Sequence, residues 1–202
     1  MPNFITRGFR GRRRESDETG RIPPGQYLVD DFPVLTAGPT PHTPPERWSF
    51  TVEGKIKTPR SWSWREFTAL PAETITRDIH CVTRWSKLDT HWRGVSVDTL
   101  LKDVETAAEY VLAFCDGGYT TNLALGDVTG GKAWVMYSYD DGPLPVEHGG
   151  PARLLVPHLY LWKSAKWVRG LRLLDREERG FWEMLGYHNR GDPWTEQRYW
   201  SD

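Results

Sequence analysis

The sequence has almost no net charge and no long apolar run. Its 26 basic residues are balanced by 27 acidic ones, which argues against a protein that binds nucleic acid or another polyanion over a broad surface. The longest apolar runs, such as Tyr110–Cys115, have about the length of a strand and are well short of the roughly 18 residues of a membrane helix. The sequence therefore predicts no nucleic-acid partner and no membrane span, and any anion site has to be local.

Cysteine is also scarce. Cys81 and Cys115 are the only two in the sequence, and we expect both to be free thiols because we expect a reducing compartment. Neither a Cys-x-x-Cys nor a His-x-x-x-His pair occurs, so the usual ligands of a tetrahedral zinc site are lacking. A single thiolate suits a metal whose other ligands come from a cofactor.

Glycine, proline and tryptophan are plentiful, with 19, 15 and 11 residues. This composition predicts a turn-rich β protein built around aromatic pockets. Near the amino terminus, several arginines are followed by the largely acidic residues 15–18 rather than by the apolar stretch of an export signal. We therefore expect a disordered basic tail over residues 1–21, a cytoplasmic protein, and one domain over residues 22–202.

The spacing of apolar residues predicts mixed β-sheets with few short helices, which is an α+β fold. The predicted strands cover residues 48–54, 74–82, 109–115, 132–139, 153–157 and 166–174. The predicted helices cover residues 63–70 and 96–104. Cys81 falls at the carboxyl end of its predicted strand, directly before a loop.

Three windows of the sequence carry residues with distinctive chemistry. Around Cys81, the side chains of His80, Arg84 and Lys87 favour the thiolate, which is the form that binds a metal or attacks as a nucleophile. A buried free cysteine is the simpler alternative. A cysteine hydrolase would need a distant histidine such as His148, because His80 points to the opposite face of an extended strand.

The second window, residues 142–157, contains glycines that allow a ligand to approach the backbone, and Arg153, whose planar fork of donors can grip an anionic group. In the third window, residues 161–167, an extended chain would place Ser164 and Lys166 on one face, where they could bind a phosphate together. Taken alone, Arg153 is better explained by a surface salt bridge, and Ser-x-Lys is a weak signal.

Together and in this order, the three windows resemble the molybdopterin domain of the sulfite oxidase family, and especially its short stand-alone bacterial branch. The resemblance covers about residues 23–199 and is strongest at the Cys81 loop and at residues 118–123, 148–157 and 162–168. It implies the fold of that domain and a molybdenum cofactor with molybdopterin in its mononucleotide form. It also implies oxygen-atom transfer to or from a small substrate such as sulfite, an S-oxide or an N-oxide.

The resemblance further implies roles for individual residues. Cys81 would be the metal ligand, and the catalytic set would also include Tyr119 and Trp92 in the substrate pocket and Arg84 as a source of positive charge. The residues that would hold the pterin and its phosphate are His148, Arg153, Lys163, Ser164, Lys166 and Thr83. The competing interpretation is a non-catalytic cofactor-binding protein that has kept the fold.

The sequence departs from the family pattern in two places. The Arg-Asn-His run that follows the first phenylalanine of the domain in animal and plant sulfite oxidases is missing after Phe32. Only Arg84 offers an obvious replacement charge for an oxyanion. The sequence also ends soon after the pterin domain, so we expect a monomer with a separate electron-transfer partner. Residues 186–194 resemble the end of the short branch, and the sequence assigns them no role.

Overall fold

The computed structural model describes residues 20–202. The predicted basic tail therefore lies almost wholly outside the described residues. Of the two tail positions that are described, Arg21 forms ion pairs with Asp78 at 2.5 Å and with Asp89 at 2.6 Å. No helix within residues 20–202 combines the length and the apolar character needed to cross a membrane.

The described chain is built from strands and short helices, as the sequence predicts. The strands are β1 (Tyr27–Leu28), β2 (Ser49–Gly54), β3 (Arg60–Ser63), β4 (Glu73–His80), β5 (Trp85–Ser96), β6 (Tyr110–Cys115), β7 (Thr120–Ala124), β8 (Trp134–Tyr139), β9 (Gly142–Pro143), β10 (Arg153–Leu155) and β11 (Val168–Leu174). The α-helices are α1 (Trp64–Thr68), α2 (Val97–Leu100), α3 (Leu125–Val128) and α4 (Phe181–Met184). Single 3₁₀ turns cover Pro45–Arg47, Asp116–Gly118, Val146–His148 and Leu161–Lys163.

These strands form two sheets, and the predicted α+β class is confirmed. The six-stranded sheet is organised around β5, which pairs with β4 along one edge and with β1 and β8 along the other, while β8 continues to β10 and β9. The five-stranded sheet has the order β3-β2-β11-β6-β7, and only its β2–β11 pair is parallel.

The first half of β8, in the six-stranded sheet, is buried on both faces. Val135 of β8 belongs to the larger apolar core, which also contains Phe50 and Leu171 of the other sheet. The neighbours of Val135, Trp134 and Met136, point the opposite way into a second apolar cluster, because successive side chains of a strand alternate between faces. Cys81 belongs to this second cluster, so the sulfur lies on the outer face of the six-stranded sheet.

Most predicted elements are confirmed, with boundaries shifted by a few residues. The helix predicted over residues 63–70 is α1, and Ser63 caps it in a capping box with Glu66. The helix predicted over residues 96–104 was too long: α2 ends at Leu100, and Asp103 adopts a left-handed backbone with φ 60°. Residues 161–167 are not extended, since Leu161–Lys163 forms a 3₁₀ turn. Ser164 and Lys166 therefore do not share the face of a strand, and that prediction was wrong.

Candidate functional site

Cys81 lies in the tight loop that joins β4 to β5. Its N–H donates to the Trp85 carbonyl at 2.9 Å, and its own carbonyl accepts from the Arg84 N–H at 2.9 Å. Arg84 closes this turn with φ 74°, and its side chain is exposed to solvent. The strand end thus holds the Cys81 sulfur at a defined position, as the sequence predicts, but the turn directs the Arg84 side chain outward.

The sulfur of Cys81 is nearly buried and accepts a hydrogen bond from the Thr83 hydroxyl at 3.1 Å. Burial raises the pKa of the Cys81 thiol above its ordinary value, while Thr83, Lys166 and Arg198 act in the opposite direction. The expectation that His80, Arg84 and Lys87 favour the thiolate was therefore wrong, because the cations that act on the sulfur, Lys166 and Arg198, come from distant segments. A bound metal cation would hold this sulfur as the thiolate despite its burial.

Arg153 opens β10 and is a buried cation. Its guanidinium donates to the carbonyls of His148 at 2.9 Å and Ser164 at 2.7 Å. No carboxylate within residues 20–202 forms an ion pair with it. Burial lowers the pKa of Arg153 to about 10, which leaves the group charged near neutral pH. An arginine that is 2% exposed and bonded only to neutral acceptors has a charge that a ligand can compensate.

Aromatic rings surround this guanidinium. Phe32 stacks on the His148 imidazole with ring centroids 3.9 Å apart. The Arg153 guanidinium carbon lies 5.9 Å from the centroid of the Phe32 ring and 5.7 Å from that of Trp92. Trp92 is 1% exposed and donates to the Thr90 hydroxyl, so it acts as a wall of the site. Since Arg153, His148 and Trp92 meet here, the structure brings three predicted site residues together.

His148 has a polar atom without a partner. Its Nδ1 is buried and forms no hydrogen bond with any group of residues 20–202. Burial, followed by the charges of Arg153 and Lys166, lowers the pKa of His148 to about 4. The imidazole is therefore neutral at neutral pH, and Nδ1 can donate to or accept from a ligand.

Lys166 lies beside this group. Its ammonium donates to the carbonyls of Leu35 and Glu147, each at 2.7 Å, and burial lowers the pKa of Lys166 to about 8. An ammonium carries three N–H groups, so one remains after these two bonds. Gly149, with φ +110°, allows its backbone to approach Lys166, because a Cβ there would lie 3.0 Å from the Lys166 Cα. At Gly149, the close contact with the backbone is thus made by the protein itself, rather than by a ligand as the sequence predicts.

Three predicted site residues have other partners in the structure. The Lys163 ammonium is fully buried and donates to the carbonyl and the side chain of Asn122 and to Glu183, which uses all three of its N–H groups. The Tyr119 hydroxyl donates to the Trp162 carbonyl at 2.5 Å. Ser164 accepts a hydrogen bond from the Val156 N–H through its hydroxyl oxygen. Lys163 and Tyr119 thus fit internal roles better than contacts to a phosphate or a substrate.

The sequence interpretation missed three residues beside the Cys81 loop. The Gln26 amide donates to the Cys81 carbonyl at 3.1 Å, and Arg198 donates to the Val82 carbonyl at 2.7 Å. The Arg198 guanidinium carbon lies 5.1 Å from the centroid of the Tyr160 ring. No local motif marks these three positions, because they come from opposite ends and the middle of the chain.

Residues 37–182 match the family model described as the oxidoreductase molybdopterin binding domain. The chain belongs to this family. It is accordingly a molybdopterin-binding oxidoreductase, and the resemblance stated from the sequence is confirmed. Within residues 20–202, no three side chains of His, Cys, Asp or Glu are grouped so that they could hold a metal ion.

This molybdopterin-binding oxidoreductase covers different fractions of the length of its relatives. It is 42% identical over 195 residues to the uncharacterized oxidoreductase YuiH of Bacillus subtilis, covering 95% of this chain and 98% of YuiH. It is 31% identical to the putative protein-methionine-sulfoxide reductase subunit YedZ1 of Azospira oryzae, covering 68% of this chain and 53% of YedZ1. The protein-methionine-sulfoxide reductase catalytic subunit MsrP of Ralstonia nicotianae is 23% identical, with 78% of this chain and 54% of MsrP covered. The chain thus spans nearly all of YuiH and about half of the other two.

The fold has a counterpart among solved structures. The sulfane dehydrogenase SoxCD from Paracoccus pantotrophus superposes with a TM-score of 0.61 at 18% identity, covering 68% of this chain and 40% of the SoxCD chain. This similarity supports the same fold. The residues near Cys81 fit a molybdenum–molybdopterin cofactor, because they combine a single thiol, an unpartnered His148 Nδ1 and a buried Arg153 cation that lacks a carboxylate.

Proposed function

We propose that the Cys81 thiolate is the one protein ligand of a molybdopterin-held molybdenum ion, and that the enzyme transfers an oxygen atom to or from a small substrate. Sulfite, an S-oxide or an N-oxide is the substrate class that this proposal covers. The relatives named as protein-methionine-sulfoxide reductase subunits support the S-oxide part of that class.

The observation that carries the proposal is the buried and unpaired charge of Arg153. Its guanidinium has carbonyl acceptors and aromatic rings around it, but no carboxylate of the described residues. Burying a cation without an anionic partner costs free energy. A molybdopterin carries a phosphate and a dithiolene, so its binding would compensate this charge near Cys81.

Each residue of the site would then have a defined task. Cys81 would bind the metal, and the Thr83 hydroxyl would donate to its sulfur and moderate its electron donation. Arg153, Lys166 and the neutral His148 would bind and orient the anionic cofactor. When bound, the cofactor supplies two-electron redox chemistry coupled to oxygen-atom transfer.

The remaining predicted residues would support this arrangement. Trp92, together with Phe32 and Tyr139, would exclude water from the cofactor. Ser164 would position Arg153 through its carbonyl. Lys163 and Tyr119 would support the site indirectly, by stabilising the fold around it.

Several finer properties belong to the proposal. We propose the mononucleotide form of molybdopterin, a monomeric enzyme and a separate electron-transfer partner. The names of two relatives, which call them subunits, support the partner. We also propose a cytoplasmic location, in which Cys81 and Cys115 would stay free thiols.

The deciding experiment measures molybdenum and pterin in protein purified from a host that makes the cofactor. Molybdenum should approach one ion per chain in the wild type, and Cys81→Ser should lose most of it or change its metal spectrum. Cys115→Ser is the matched control, since Cys115 is equally buried and free, and it should keep the wild-type content. Equal molybdenum content and identical spectra in all three proteins would refute the role of Cys81.

A further inference from the structure

Trp85 carries a buried indole N–H that has no task in the proposed function. Its side chain is 3% exposed, and its Nε1 forms no hydrogen bond with any group of residues 20–202. An indole nitrogen can only donate a hydrogen bond, so this group needs an acceptor. Burying such a donor without an acceptor costs free energy, and a phenylalanine at this position would avoid that cost.

Among the buried tryptophans of residues 20–202, Trp85 is the exception. The indole N–H groups of the other five all donate within the protein: Trp48 to the Val168 carbonyl, Trp92 to the Thr90 hydroxyl, Trp134 to Glu73, Trp162 to Glu183 and Trp167 to the Val146 carbonyl. The fold thus supplies acceptors to buried indoles as a rule. Trp85 differs from the tryptophans that only fill the core.

Trp85 lies next to the proposed metal ligand. Its carbonyl accepts from the Cys81 N–H at 2.9 Å, and both side chains belong to the same apolar cluster. The Trp85 ring centroid is 6.0 Å from that of Phe32, and the same Phe32 ring contacts His148 and Arg153. Three groups that need an external partner therefore surround one phenylalanine: the Trp85 N–H, the His148 Nδ1 and the Arg153 charge.

We infer that the Trp85 indole N–H donates a hydrogen bond to an oxygen or sulfur atom of the molybdopterin, at the end of the cofactor that carries the metal. The inference rests on the proposed function and adds a cofactor-binding residue to that same site. Hydrogen bonds to charged acceptors are stronger than those between neutral groups. Trp85 thereby fixes the orientation of the cofactor relative to Cys81 without binding the metal.

A bound water is the alternative acceptor, and the surroundings of Trp85 disfavour it. A buried water makes about three hydrogen bonds to polar groups. The cluster that contains Trp85 consists largely of apolar side chains, among them Val29, Ile79 and Leu155. An anionic cofactor needs no further polar groups there, because it brings the acceptor itself.

The test follows the indole N–H signals by NMR in protein that carries isotope-labelled tryptophan. Cofactor-free protein comes from a cofactor-deficient host, and oxidised holoprotein comes from a competent one. The Trp85 signal should move downfield in the holoprotein, because the N–H gains an acceptor. Trp134 is the matched control, since it belongs to the same cluster but already donates to Glu73, and its signal should stay in place.

A variant pair tests the same hydrogen bond through cofactor release. Trp85→Phe should release pterin roughly tenfold faster than the wild type, as expected from the loss of one hydrogen bond to a charged acceptor. Trp134→Phe removes the same atoms near Glu73, at the opposite end of β4 from Cys81, and should release pterin at the wild-type rate. Equally fast release from both variants would assign the effect to packing and overturn the inference.

Molybdenum and pterin are measured in each preparation, so the two proposals can fail separately. Absence of the cofactor from wild-type protein of the competent host would refute the proposed function and the inference with it. A loaded wild type whose Trp85 signal stays at its cofactor-free position would refute the inference alone. Sequential assignment identifies this signal in the wild type, so the result does not depend on whether Trp85→Phe folds.

Discussion

At the scale of single residues, the partner of a buried charge distinguishes a residue that can bind a ligand from one that stabilises the fold. Arg153 and Lys163 are both buried, at 2% and 0% exposure. Arg153 donates only to neutral acceptors, whereas Lys163 forms an ion pair with Glu183 at 2.7 Å and fills its other donors with Asn122. The first charge needs an external partner, and the second already has an internal one.

Breaking the Lys163–Glu183 pair should therefore destabilise the protein rather than empty the site. Lys163→Met leaves Glu183 buried without its partner, which typically costs about 3–5 kcal/mol. Urea unfolding of cofactor-free protein should show a loss of this size. Adding Glu183→Gln in the same chain should recover part of it, because the stranded charge is then removed.

The control for this prediction is Lys102→Met, which removes an exposed ammonium and should change stability by less than about 0.5 kcal/mol. The outcome also tests the role predicted from the sequence. If Lys163→Met unfolds like the wild type but loses the pterin, Lys163 contacts the phosphate after all.

At the scale of elements, β11 depends on a glycine in the middle of the five-stranded sheet. A Cβ at Gly170 would lie 2.3 Å from the Phe114 ring and 2.3 Å from the Thr51 carbonyl oxygen. Gly170→Ala should therefore destabilise the protein by about 1–3 kcal/mol or more through overpacking. The decrease would appear as a lower urea midpoint.

Gly126 provides the matched control for that substitution. It lies in α3, and a Cβ there would meet nothing within 4 Å. Gly126→Ala should be neutral or stabilise the protein by up to about 1 kcal/mol, because alanine favours helix. Equal effects of the two substitutions would show that the crowding at Gly170 is relieved by movement of its neighbours.

Local sequence patterns predicted the elements that have one clear apolar face or a recognisable end. β6, β8 and β11 are rich in apolar residues, and α1 begins at a capping box. The sequence interpretation missed β5, the longest strand of residues 20–202, because residues such as Thr90 and Gly94 occupy buried positions where a large apolar side chain would have marked the strand. The 3₁₀ turn at Leu161–Lys163 was also missed, since its apolar residues are packed by tertiary contacts.

At the scale of the whole molecule, the candidate site combines segments that are distant in sequence. Cys81, His148 and Arg153 were predicted because each belongs to a motif that the sequence shows. Gln26, Tyr160 and Arg198 could not be predicted in the same way, because only the packing of the last segment against the Cys81 loop brings them there. The sequence also gave no sign that Lys163 pairs with Glu183, because this contact depends on the packing of α4.

Because the site joins these segments, removing the cofactor should weaken the whole fold. A ligand that binds only the folded state stabilises it by about 4 kcal/mol when present at 1,000 times its Kd. For a chain of 202 residues, this corresponds to a rise in Tm on the order of 10 °C. The buried Arg153 charge adds to the difference, since it stays uncompensated in the cofactor-free protein.

The measurement compares calorimetric Tm values of protein made in cofactor-competent and cofactor-deficient hosts. The competent host should give the higher Tm, and Cys81→Ser should reduce the gap because the metal loses its protein ligand. Arg65→Gln, which changes an exposed side chain of α1, should leave the gap unchanged. Coinciding Tm values for loaded and cofactor-free wild type would mean that cofactor binding is not coupled to folding, and that Arg153 is accommodated by its carbonyl acceptors alone.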